Sequence, residues 1–160
     1  MTNSQEAPTQ AVAALEAIYG KPSQAGFGSA VFQKVTGPAE DVAHAAWDTY
    51  RFFVGDLWER WGEAAWKGPW REVYVRGADA RHDIVAELRG IDDAAARSVP
   101  MILDVVERAE DGRAALAAVY DDPDMDEVRV FNLGDGGAMS GLLLAGRRAR
   151  STTLLVFLMD

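Results

Sequence analysis

Three apolar runs crowd the last third of the sequence: DEVRVFNL (126–133), AMSGLLLAG (138–146) and STTLLVFLM (151–159). Each has strand length, and turn signals separate them, GDGG after the first and RRAR after the second. Such a succession predicts a C-terminal antiparallel β-meander. Two earlier runs, AVFQKV (30–35) and REVYVRG (71–77), also read as strands and extend the sheet near Val31 and Val73. The polar start with Pro8 predicts a flexible tail over residues 1–10. Residues 11–160 then form a single α+β domain, the meander carrying one long amphipathic helix and several shorter helices packed on the sheet.

The long helix is the best-defined helical object. Pro38 sits in its first turn, where a missing N–H costs nothing, and KGPW (67–70) stops it near Trp66. At 100° per residue, Val42, Ala46, Trp47, Tyr50, Phe53, Val54, Leu57, Trp58 and Trp61 share an arc of about 160°. Asp41, His44, Asp48, Arg51, Asp56, Glu59, Arg60 and Glu63 share the opposite side. One face therefore meets a core and the other water. Shorter helices are expected over Ala11–Tyr19, from an Asp79 cap to Gly90, over Ser98–Glu110 and over Arg113–Tyr120, with EDG (110–112) between the last two. VPMILDVV (99–106) also fits a buried strand.

With 160 residues, 49% apolar and 26% charged, the chain has ordinary globular composition for one domain. It has no cysteine, hence no disulfide, thiolate nucleophile or cysteine-based zinc site. Its net charge of -9 repels phosphate backbones and anionic lipid, which argues against nucleic acid and membrane as partners. Neither a signal-peptide pattern nor an apolar window of spanning length occurs, so a cytoplasmic location is expected.

The glycine-rich NLGDGGAMSG (132–141) invites a phosphate-binding reading, but its spacing fails. From Gly134 the dinucleotide pattern places Met139 where glycine or alanine belongs, and from Gly136 the P-loop pattern meets Leu142 and Leu143 instead of lysine and a hydroxyl residue. Asp135-Gly136 between apolar runs instead signals a type I′ hairpin turn; a helix over Leu142–Ala145 keeps a βαβ unit as the alternative.

Several constellations carry candidate chemistry. Asp41, His44 and Asp48 lie within about 60° of arc on one helix face and form a weak metal candidate against ordinary surface charge pairing. DDPDMDE (121–127) starts like a calcium loop, but Glu127 replaces the turn glycine and Leu133 the closing glutamate, leaving a solvated acidic connection. Of the five tryptophans, Trp58, Trp61, Trp66 and Trp70 can line an aromatic pocket or fill core. Phe52 projects from the polar helix face and suggests a contact surface, while Arg147, Arg148 and Arg150 offer guanidinium forks to an acidic partner. Ser140 lacks the nucleophile-elbow pattern, and two histidines leave few acid–base candidates.

The expected function is that of a small acidic partner-binding protein, non-catalytic, of the inhibitor, immunity or adaptor kind. Its partner would be another protein or a second copy, met through Phe52, Arg147, Arg148 and Arg150, with no cofactor. A ligand sensor with a Trp-lined pocket and a carboxylate-dependent enzyme are the alternatives.

Overall fold

The computed structural model describes residues 3–24, 27–35, 41–77, 79–92, 97–105, 108–133 and 140–159. Along the chain run α1 (Asn3–Tyr19), β1 (Gly28–Val35), α2 (Val42–Val54), α3 (Leu57–Trp61), α4 (Glu63–Lys67), β2 (Arg71–Val75), α5 (Ile84–Arg89), a π-helical segment (Met101–Val105), α6 (Ala109–Tyr120), β3 (Glu127–Leu133), β4 (Ser140–Arg148) and β5 (Ser151–Met159). The α+β class stands. The three C-terminal strands form the meander, and β1 and β2 join it at opposite ends, giving the antiparallel order β1-β5-β4-β3-β2.

Antiparallel sheets commonly leave one face in water, which produces strict polar–apolar alternation. Here both faces are covered. Gly141–Gly146 of β4 and Thr152–Leu158 of β5 are buried without a break, which is why these strands read as continuous apolar runs. On one face Val31, Val130, Leu142, Leu144 and Leu155 pack beneath Leu15 of α1, Leu88 of α5 and Leu116 of α6. On the other, Phe32, Phe131, Leu143, Leu154 and Val156 pack beneath Tyr50, Phe53, Trp58 and Trp66 of α2–α4. The first core is largely aliphatic, and the second sets Phe32, Tyr50, Phe53, Trp58, Trp66 and Phe131 among its aliphatic residues.

The long helix is corrected to three. Gly55 has φ 63° and Gly62 φ 86°, in the region that L side chains avoid, so the chain leaves the helix at both points. The apolar phase still places Val42, Ala46, Tyr50, Phe53, Val54 and Trp58 in the core, but Trp61, beyond the first break, is 47% exposed. Three further boundaries move. Asp83, not Asp79, caps α5, its carboxylate accepting from Ala86 N. EDG does not interrupt α6; a Cβ at Gly112 would lie 2.8 Å from the Tyr19 hydroxyl, so this glycine serves close packing of α6 on α1. Finally, α1 begins at Asn3, inside the segment expected as a tail.

In the glycine-rich segment, β3 and β4 pair antiparallel down to Leu133 opposite Gly141. A strand, not a helix, therefore follows the loop, and both the βαβ alternative and the phosphate cradle fall. The Asp135-Gly136 turn lies outside the described residues.

Candidate functional site

The aromatic residues of α2–α4 are mostly occupied with one another. Trp66 lies parallel to Trp61 (centroids 5.0 Å apart) and to Trp58 (6.1 Å); Trp70 stacks on Phe131 (4.6 Å) and on Tyr50 (5.3 Å). Trp47 meets Tyr50, Trp58 and Trp70 edge-on. Trp66 Nε1 donates to Leu57 O and the Tyr50 hydroxyl donates to Trp66 O, each at 3.1 Å. Burial pushes the Tyr50 phenol well above its ordinary value. Trp58 and Trp66 are thus core, whereas Trp61 reaches the surface and Trp70 is half-buried. The indole N–H of Trp58 is buried without an acceptor among the described residues.

The surface end of this array runs along β1. Trp61 packs on Phe27, and Phe52, 50% exposed, meets Phe32 edge-on at 5.8 Å. Phe27 immediately precedes β1, and Val35, 83% exposed at the strand's far end, faces the opposite side of the sheet from Phe32. Folding alone gives Phe52 little reason to sit there, and two half-exposed aromatics, Phe52 and Trp61, are an unusual surface for a charged chain.

β1 is also an edge strand of the sheet. Val31 N–H donates to Gly20 O at 2.9 Å, on the side away from β5. By strand alternation the backbone groups of Ser29, Val31, Gln33 and Val35 point outward and those of Ala30, Phe32 and Lys34 toward β5. The chain leaving α1 crosses the first half of this edge, where Ser29 Oγ donates to Tyr19 O at 2.6 Å. Further on, no described residue pairs with the backbone of Gln33 or the N–H of Val35.

The opposite edge, β2, is closed by charge. Arg76, just past its end, grips the Glu87 carboxylate through two nitrogens and donates to Tyr120 O at 2.8 Å; the two charged side chains are 3% and 9% exposed. Tyr74 and Asp83 N complete the donors to Glu87. Burial would raise the Glu87 carboxyl, but the hydrogen bonds from Arg76 and Tyr74, with the charge of Arg76, hold it below its ordinary value. Burial, with the Glu87 hydrogen bond, pushes the Tyr74 phenol up to about 12. Asp121 accepts from Ile84 N at 2.7 Å, and burial raises its carboxyl. Every oxygen of Glu87 is used, so the cluster is a clamp tying β2 to α5 and α6, and it presents no open acid–base pair. The sequence gives only a faint sign of it, an arginine closing an alternating strand.

The arginine turn and the acidic connection, treated separately in the sequence, meet in space. Arg147 reaches Glu127 (3.3 Å) and Asp126 (3.8 Å), and Arg148 reaches Asp122 (3.0 Å) and Asp124 (3.2 Å). Arg150 is exposed on the turn. Asp41 caps α2 through Ala43 N, and His44 pairs with Asp48 at 3.3 Å. Among the described residues no three metal-ligating groups converge, and no helix is long and apolar enough to cross a membrane. No protein-family model, no curated protein and no solved structure matches the chain.

Proposed function

We propose that this is a non-catalytic partner-binding protein of the inhibitor, immunity or adaptor kind, working in a reducing cytoplasm, with Phe52 and Trp61 beside the β1 edge as its contact surface. The observation that carries this reading is the pair of half-exposed aromatics on a molecule whose buried charges are matched internally. Arg147 and Arg148, engaged with acids of their own chain, move to the margin of the proposal, and Arg150 remains as a peripheral cation. The absence of cysteine supports the reducing compartment.

The test is affinity capture from the native host with wild type beside the Phe52→Ser/Trp61→Ser double variant. Loss of a partner by the double variant, still folded but with a melting temperature lowered by the lost Trp61–Trp66 stacking, is the expected result. Equal recovery of every partner by both proteins overturns the assignment of this surface. A second reading, the ligand sensor, is favoured by one group only, the acceptor-less indole N–H of Trp58. A flat acceptor-bearing ligand bonded there would shift the tryptophan emission of the wild type and leave that of Trp58→Phe unmoved.

A further inference from the structure

We infer that the β1 edge binds its partner by strand addition, and that the partner supplies an extended, basic segment with apolar residues at alternate positions. This rests on the partner-binding reading of the same surface and deepens it. The backbone carries the first half of the inference. Val31 C=O, Gln33 N–H, Gln33 C=O and Val35 N–H all point away from β5, in the spacing an added strand uses. The Gly20 carbonyl already occupies Val31 N–H, so an incoming strand pairs with the Val31–Val35 half of the edge.

Side chains carry the second half. Phe52 stands beside Phe32 on the α2 side of the strand, placed to pack on alternate residues of an added neighbour. Asp48 and Asp56, both exposed, lie four residues before and after Phe52. Glu59 and Glu63 are exposed near Trp61, while Arg51 is drawn over the Trp58 ring at 5.7 Å. Lys34 is the strand's own cation, and Arg60 and Lys67 are exposed farther along the helices, so the local surplus is acidic. A basic segment gains from this field, which adds to the net charge of -9; a second copy of the chain meets its own sign.

The test uses the full chain against a displayed library of random peptides, followed by titration of the selected peptides. Enriched sequences are expected to be basic, with alternating apolar residues and no proline at the pairing positions. Gln33→Pro removes one outward N–H and the exposed bond from Gln33 Nε2 to Ser151 Oγ, leaves the backbone bonds to β5 in place, and is tolerated on an edge strand. It should weaken binding about tenfold, as should Phe52→Ala, each variant first shown to melt as wild type does. In the wild type, the Gln33 and Val35 amides should exchange more slowly with hydrogen isotope once the peptide is bound, a readout that needs no variant. Binding lost in Phe52→Ala but unchanged in Gln33→Pro, with no slowing of those amides, overturns strand addition and leaves the partner-binding surface standing. A selection that enriches nothing, or enriches acidic peptides, overturns the basic-strand proposal. A concentration-dependent dimer abolished by Gln33→Pro overturns it in favour of a second copy.

Discussion

The two edges of the sheet are finished in opposite ways. β2 is five residues long, its pairing to β3 is irregular between Glu72 and Tyr74, and its flank is closed by Arg76–Glu87 and by Arg129 with Glu72 and Glu127. A short, bulged, charged strand is a standard defence against edge-to-edge pairing. β1 is eight residues long, pairs with β5 without a shift in register, ends in the exposed Val35, and has the half-exposed Phe52 beside it and Trp61 beside Phe27, the residue before it. Charge in this protein accumulates where the structure is shut, and exposed apolar surface where it is open. A titratable cluster is therefore a poor guide here to where a partner docks.

The largest effect that can be asked of this difference lies at the closed edge. Glu87→Gln leaves a buried guanidinium with only the more distant Asp121 carboxylate, 3.9 Å away, and should cost about 3 kcal/mol. That lowers the melting temperature by roughly 6–12 °C for a chain of this size. The sign of the pH dependence follows from the lowered Glu87 carboxyl: its contribution is complete above the ordinary value of 4.5 and is lost as pH falls through the folded value. Urea titrations across that range should show a flatter acid limb in Glu87→Gln than in wild type. An unchanged limb would mean that the clamp is not what holds β2.

Next in size is Tyr74→Phe, expected to cost about 1 kcal/mol at neutral pH through the lost bond to Glu87. The Tyr74 phenol is pushed from 10.0 up to about 12, so its contribution is present below pH 10 and disappears as pH rises through about 12. Alkaline melting curves of the variant should be correspondingly less steep over that interval. At the open edge, Phe52→Ser gives up contact with Phe32 and little else, at most about 1 kcal/mol by thermal melting. A larger loss would show Phe52 to be core. Arg147→Ser with Arg148→Ser should change stability least, within about 1 kcal/mol, because partly exposed ion pairs contribute little. Raising the salt concentration should narrow even that difference.

Much of the sheet was legible because β4 and β5 carry unbroken apolar runs, Gly141–Gly146 and Leu154–Met159, and are bounded by turns. The helical layer was less so. Apolar periodicity from Val42 to Trp61 is nearly unbroken, and it masked Gly55 and Gly62, whose backbone conformation ends the helix regardless of what the neighbours prefer. Gly112 misled in the other direction: it resembles punctuation but makes room for Tyr19, a contact between elements far apart in the chain. Of the site, Phe52 could be singled out as an aromatic on a polar face. That it borders an edge strand could not, since strand order is set by tertiary packing. The pairing of the arginine turn with the acidic connection was hidden for want of register: Glu127 stands directly across from Arg147, and cross-strand opposition of that kind pairs charges that sequence distance hides.

The pairing of β1 with β5 has a consequence for biosynthesis. Gly28 is matched to Leu158, so the two strands come from opposite ends of the chain described here. During translation at roughly 5–20 residues per second, β1 waits several seconds or more before its neighbour exists. Until then the nascent chain carries both an unpaired strand and the aromatic segment meant to roof it. Any product cut short before β5 lacks the strand that joins β1 to the rest of the sheet, and such fragments should be recognised and cleared as unfolded chains.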